Sequence, residues 1–101
     1  MEKRRPHYSL ALVRTLAADH ATVKFTRAAL DRAAELRFDP GLMRKVLADL
    51  RAEDFYKSMT SHADHTTWQD VYRPIRDNVP LYVKVTVHAE NTLLVVSFKR
   101  R

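Results

Sequence analysis

Residues 81–99 read LYVKVTVHAENTLLVVSFK, and this stretch decides the fold. Leu81, Val83, Val85 and Val87 alternate with Tyr82, Lys84, Thr86 and His88. Strict alternation of apolar and polar side chains marks a strand buried on one face only. Ala89–Thr92 reads as a turn, and Leu93–Lys99 as a second strand. That strand sets Leu94, Val96 and Phe98 on one side and Leu93, Val95, Ser97 and Lys99 on the other. Both apolar rows must face the same core, because a slip of one residue turns every side chain over. Pairing Val87 with Leu94, Val85 with Val96 and Val83 with Phe98 satisfies this around a four-residue turn. The same register sets Tyr82 opposite Lys99 and Lys84 opposite Ser97, on the face turned away from the core.

Working upstream, residues 54–74 read DFYKSMTSHADHTTWQDVYRP. Two further strands are expected around a turn at Ala63–Thr67. Phe55, Lys57, Met59 and Ser61 share one face of the first, and Gln69, Val71, Arg73 and Ile75 share one face of the second. Pro74 donates no backbone hydrogen bond, so it predicts a bulge or a sheet edge.

Before residue 53 the period is helical. Leu10, Val13, Leu16 and Ala17 form an apolar stripe with Ser9 as its cap. Thr26 caps a second helix whose face carries Ala29, Leu30, Ala33 and Ala34. Asp39-Pro40 starts a third, with Asp as cap and Pro at the first helical position, followed by Leu42, Val46, Leu47 and Leu50. Residues 21–25 suit a short strand. The expectation is an α+β fold in one domain, residues 1–101: about three N-terminal helices on one side of a twisted antiparallel sheet of four or more strands.

Composition narrows the function classes. Eighteen Lys and Arg against 12 Asp and Glu give a formal net charge of +6, which suits a polyanionic partner. With no cysteine there is no disulfide framework, thiol nucleophile or cysteine zinc site, which fits the cytoplasm. No apolar run approaches the roughly 20 residues of a membrane span, and no signal peptide is read in MEKRRPHY.

The outer sheet face collects Lys57, Arg73, Tyr82, Lys84 and Lys99. Three readings are open for it: a solvated surface, an RNA-binding surface on which aromatics stack bases, or an RNA-cleaving site. Cleavage requires a proton acceptor for the 2′-hydroxyl, positive charge around the phosphorane and a proton donor for the leaving 5′-oxygen. Lys and Tyr can do this if clustered cations lower their pKa values. His62 and His65 flank Asp64, but no second ligand pair accompanies them, so they read as turn residues and no metal or cofactor is expected. His88 closes a strand on the polar face, and Trp68 reads as a packing anchor.

DFYKSMTSHADHTTWQDVYRP, LYVKVTVH and VVSFK, with MEKRRPHYSL and TRAAL before them, resemble the motility quorum-sensing regulator (MqsR) toxin family over nearly the whole chain. The resemblance implies a RelE-like fold and a type II toxin–antitoxin system. It implies a metal-independent endoribonuclease, an mRNA interferase that cuts mRNA at GC-containing sites such as GCU and so inhibits translation and growth. The implied partner is a zinc-binding, DNA-binding antitoxin of the MqsA type, with DNA met only through the complex.

Carried over residue by residue, the resemblance makes Lys57, Gln69, Tyr82 and Lys99 catalytic. Tyr56, Met59, Arg73, Lys84 and His88 are expected to line the substrate surface. His62, Ala63 and the AENT turn depart from the family pattern. The competing class is a non-catalytic nucleic-acid-binding or regulatory module. A DNA reader normally carries its basic residues on an exposed helix, whereas here they lie on strands.

Overall fold

The computed structural model describes residues 1–101. In chain order the elements are β1 (Glu2–Lys3), α1 (Leu10–Ala18), β2 (Val23–Phe25), α2 (Arg27–Glu35), α3 (Pro40–Ala48), β3 (Phe55–Thr60), β4 (Trp68–Tyr72), β5 (Ile75–Arg76), β6 (Val79–His88) and β7 (Thr92–Arg100). The architecture is α+β, with three helices and seven strands. No helix is long and apolar enough to cross a membrane.

Each helix starts at the residue whose side chain can satisfy its first free N–H groups. Ser9 Oγ accepts from the Leu12 N–H at 3.2 Å. Thr26 Oγ1 accepts from Ala29 at 3.0 Å, and Asp39 Oδ1 accepts from Leu42 at 2.8 Å. The helices bury Val13, Leu16 and Ala17, then Ala29 and Ala33, then Met43, Val46 and Leu47. Two expected face residues, Ala34 and Leu42, are exposed. In α3 the buried stripe runs Met43, Val46, Leu47 and Leu50, which leaves Leu42 at its margin. After α2, Arg37 takes φ 66° and the Phe38 N–H reaches back to the Ala33 carbonyl at 2.9 Å. This reversal brings Phe38 against Phe98, ring centres 5.4 Å apart, and supplies the bulk that Ala34 does not.

These residues share one core with Tyr72, Leu81, Val83, Val85, Leu93, Val95 and Phe98 of the sheet. The strand order is β1-β3-β4-β6-β7-β2, with β5 folded back on β6. The sheet is mixed rather than antiparallel throughout: β2 runs parallel to β7, pairing Val23 with Leu93 and Phe25 with Val95. The two helices and long chain between them allow that parallel return.

The β6–β7 ladder keeps Tyr82 opposite Lys99, Val83 opposite Phe98 and Lys84 opposite Ser97. Beyond Lys84 it shifts, so that Val85 faces Val95 and Val87 faces Leu93, with Val96 as the extra residue of a bulge. The pairs Val85–Val96 and Val87–Leu94 are therefore not formed, and the turn shortens to Ala89-Glu90-Asn91. The bulge lets Leu93, Val95 and Phe98 all reach the core. Leu93–Val96 is apolar at every position, so alternation there carries no phase. What fixes the bulge is α2: Thr26 donates its hydroxyl to the Val96 carbonyl at 2.9 Å and its N–H to the Val95 carbonyl at 3.1 Å.

A second shift lies at Tyr56, between the pairs Phe55–Tyr72 and Lys57–Val71. Phe55 thus leaves the face of Lys57 and packs edge-on against Tyr72, ring centres 5.6 Å apart. β4 ends at Tyr72, so Ile75 does not share a strand face with Gln69; it lies in β5 and is exposed. Asp77 and Asn78, at φ 52° and 63°, form the two-residue turn into β6. Nothing in the apolar pattern marks β1, whose Glu2 and Lys3 pair with Met59 and Ser58 on the outer edge of β3.

Candidate functional site

The three adjacent strand pairs align a row across the sheet: Lys57 of β3, Val71 of β4, Lys84 of β6 and Ser97 of β7. Directly paired residues share a face, so two lysines flank a fully buried valine on the face opposite the core residues Val83 and Val85. Tyr82 and Lys99 form a cross-strand pair on that same side, with Lys99 Nζ 5.1 Å and Lys84 Nζ 5.9 Å from the centre of the Tyr82 ring. Along β3, Met59 pairs with Gln69. The bulge at Tyr56 turns that ring outward, where the Arg73 guanidinium lies 4.3 Å and Lys57 Nζ 5.4 Å from its centre.

Lys57, Tyr56, Arg73, Tyr82, Lys84 and Lys99 therefore come together, with Met59 and Gln69 on the neighbouring row. His88 does not join them. It sits at the far end of β6, six residues and roughly 20 Å along the strand from Tyr82 at ~3.3 Å per residue, and is exposed. His62 and His65 lie in the β3–β4 connection, bordering a cavity of about 140 Å³ with Met1, Glu2, Met59, Thr60 and Ser61. Trp68 packs against His7, stacked at 5.4 Å, and against Lys3, whose Nζ lies 4.2 Å from its ring centre and 2.9 Å from His7 Nδ1.

Two charged residues of the N-terminal segment belong to this surface and carry no motif of their own. Arg4 lies 5.8 Å from the Tyr56 ring. Glu2 places Oε2 at 2.7 Å from Lys57 Nζ, the closest ion pair of the chain. The available signal was a lone acid inside the basic run MEKRR, which strand pairing alone could connect to Lys57.

The protonation states follow from these neighbours. The hydrogen bond that Lys57 donates to Glu2 pushes Lys57 above an ordinary lysine, and the same bond holds the Glu2 carboxyl below an ordinary glutamate. Burial raises Tyr82, although the Lys57 charge pulls the other way, with Tyr56 and Glu2 adding to the rise. Burial lowers Lys84, reinforced by the charges of Lys99 and Lys57. The expectation that clustered cations lower both lysine and tyrosine holds for Lys84 and fails for Lys57 and Tyr82. For Lys57 a carboxylate intervenes; for Tyr82 desolvation of the phenolate outweighs Coulomb attraction.

Such a surface offers ammonium and guanidinium groups to a phosphate, phenol rings to bases, and one ionised carboxylate among them. Its strands, rather than a helix, supply every one of these groups except the loop residues Arg4 and Arg73.

A profile of the family described as "Motility quorum-sensing regulator, toxin of MqsA" matches residues 5–100. A relative from Escherichia coli (strain K12), "mRNA interferase toxin MqsR", is 46% identical over 101 residues, covering 100% of both chains. A match of this extent, with no part of either chain left over, shows that the chain belongs to the motility quorum-sensing regulator toxin family.

Proposed function

We propose that this protein is the toxin of a type II toxin–antitoxin system, a metal-independent endoribonuclease that cleaves mRNA and thereby arrests translation and growth. The observation that carries the reading is the convergence of Lys57, Tyr82, Lys84 and Lys99 on one sheet face, in a chain so alike over its full length to a protein named as an mRNA interferase toxin. The mixed sheet with helices against it suits a RelE-like fold. The reading extends to cut sites containing GC, such as GCU, and to a cytoplasmic setting.

In the reaction, the 2′-oxygen attacks the adjacent phosphorus and the 5′-oxygen leaves. Lys57 and Lys99 hold the non-bridging oxygens as charge accumulates on the phosphorane, where fixed cations stabilise most. Tyr82 is protonated across the neutral range, so it serves as proton donor to the 5′-oxygen rather than as base. Gln69 orients the phosphate or ribose. Tyr56, Met59, Arg73 and Lys84 form the surrounding RNA surface, with Tyr56 as a stacking platform under the Arg73 guanidinium. His88, at the far end of β6, is left to contact a distant nucleotide.

The partner is an antitoxin of the MqsA type, which the family's description names. In this reading that antitoxin supplies the zinc and the operator-DNA contacts, and the toxin meets DNA only through the complex. Inducing the protein in a bacterial host, with and without the antitoxin, and mapping RNA 5′ ends tests the reading. Growth arrest with new 5′ ends, relieved by the antitoxin, is expected; neither arrest nor new ends would overturn it.

A further inference from the structure

The cleavage just described lacks a proton acceptor for the 2′-hydroxyl, and we infer that Glu2 is that acceptor. The inference rests on the RNA-cleavage reading and deepens it.

Of Lys57, Gln69 and Tyr82, none is suited to take a proton at neutral pH, and Lys99 is engaged with the phosphorane oxygens in the proposed reaction. Gln69 does not titrate. Lys57 is held as an ammonium by its carboxylate neighbour, and Tyr82 is held as a phenol by burial. Lys84 is pushed down, but from a lysine's ordinary 10.5. Glu2 is ionised throughout the neutral range, and it is the carboxylate in direct contact with this cluster. An ionised carboxylate within hydrogen-bond reach of a phosphate-binding ammonium is placed where a ribose hydroxyl next to the bound phosphorus would lie.

The carboxylate is not on a loose tail. Backbone pairing sets Glu2 opposite Met59, and the Thr60 N–H donates to the Met1 carbonyl at 3.0 Å. Downstream, the His7 and Tyr8 N–H groups donate to the buried Asp70 carboxylate at 3.0 and 2.9 Å. Lys3 lies on Trp68 between these two anchors. The Glu2 side chain is 48% exposed and the Lys57 side chain 18%, so the acid has a solvent side on which RNA can approach while its ammonium partner stays lodged in the sheet face.

Substrate binding also frees the base. The hydrogen bond with Lys57 is the largest reason for the weak basicity of Glu2. A phosphate that takes its share of the Lys57 N–H groups loosens that bond and raises the basicity of the carboxylate when the hydroxyl arrives.

The step balances. The 2′-hydroxyl proton passes to a Glu2 oxygen as the 2′-oxygen–phosphorus bond forms. The phosphorus–5′-oxygen bond breaks, and the 5′-oxygen takes the Tyr82 proton. The products are a 2′,3′-cyclic phosphate and a free 5′-hydroxyl. Solvent then carries the Glu2 proton back to the Tyr82 phenolate, with no net consumption of protons.

The test compares tag-free wild type, Glu2→Gln, Glu2→Asp and Lys99→Ala on a short RNA carrying a GCU site, from about pH 8 down to the lowest pH at which each protein stays folded. Glu2→Gln keeps the side-chain shape and the β1 backbone pairing. It is expected to slow cleavage about 10²- to 10⁴-fold, the usual contribution of a general base. Its affinity for a 2′-O-methyl RNA of the same sequence is expected to stay within about 3-fold. The wild-type rate falls at acid pH as Glu2 protonates; Glu2→Gln loses that limb, and Glu2→Asp keeps it at a reduced rate. A Glu2→Gln protein that cleaves within about 3-fold of wild type, or faster, overturns the inference, the faster case making Glu2 a blocking group on Lys57. If wild type cuts, Lys99→Ala does not and Glu2→Gln cuts normally, the inference about Glu2 fails alone. If wild type does not cut, the RNA-cleavage reading fails with it.

Discussion

Lys99 Nζ lies 5.1 Å from the centre of the Tyr82 ring, directly across the β6–β7 ladder. Lys99 is exposed and takes no part in the core, so its removal separates chemistry from folding. Lys99→Ala is expected to abolish growth arrest and to cut the cleavage rate at least ~10²-fold, as loss of one charge-stabilising group does elsewhere. Its unfolding midpoint and its antitoxin binding are expected to match wild type. Full toxicity from a stably expressed Lys99→Ala protein would refute the assignment.

Tyr82→Phe removes one hydroxyl and leaves the ring for stacking. Because burial holds the Tyr82 pKa above its usual 10.0, the proton donor persists into alkaline pH. Wild-type cleavage is therefore expected to stay level from neutral pH to about pH 9, with Tyr82→Phe slower by ~10²-fold at unchanged RNA affinity. An alkaline fall beginning near about pH 8 in wild type, absent from Tyr82→Phe, would contradict the raised pKa, and a Tyr82→Phe protein as fast as wild type would count against the donor role.

In the proposed site, Lys84 is a place where RNA binding would oppose stability. Its folded pKa is lowered by burial, then by Lys99 and Lys57. The charged form is thus disfavoured in the fold at neutral pH, and that cost is relieved as pH rises through the folded pKa toward 10.5. Lys84→Met is expected to raise stability at pH 7 by up to about 1 kcal/mol in urea unfolding, with the gain shrinking as the pH rises through the folded pKa toward 10.5. RNA affinity is expected to fall and its salt dependence to weaken by one contact. A destabilised Lys84→Met protein would contradict this account of the shift.

Asp70 is fully buried and accepts the His7 and Tyr8 N–H groups. Replacing one oxygen by an amide, as in Asp70→Asn, turns one acceptor into a donor facing an N–H. Loss of about 2–3 kcal/mol in urea unfolding is expected. Amide exchange at Glu2 and Lys3 should accelerate more than in β6, since the same carboxylate anchors the segment that carries Glu2. Uniform acceleration would show the segment to be held by β1 pairing alone.

Arg37 sits at φ 66° as the residue that closes α2. Side chains with a Cβ are strained there, and glycine is not. Arg37→Gly is expected to stabilise the fold by about 0.5–1 kcal/mol, partly offset by unfolded-chain entropy already included in that figure. Calorimetry checks it; a lower melting temperature would place the cost of Arg37 elsewhere.

Sequence pattern made the hairpin core and the helix starts legible because local rules govern both. Ser9, Thr26 and Asp39 cap their helices through contacts three residues away. Tyr82 and Lys99 meet because strict alternation fixes phase from Leu81 to Lys84. Phase is lost where Leu93–Val96 is apolar on both sides, and there a tertiary bond from Thr26 chooses the bulge. The same loss occurs at Tyr56, whose shift frees Phe55 for the core. Glu2 was illegible for a different reason. A two-residue strand has no periodicity, and its partner Lys57 is 55 residues away.

The central claim, that the chain cuts RNA with its own side chains, is tested most directly by incubating purified protein with a GCU-containing RNA in EDTA and reading the new ends. The account predicts fragments ending in a 2′,3′-cyclic phosphate and beginning with a 5′-hydroxyl, from wild type and not from Lys99→Ala. Intact RNA with wild type, or equal cutting by Lys99→Ala, would contradict it.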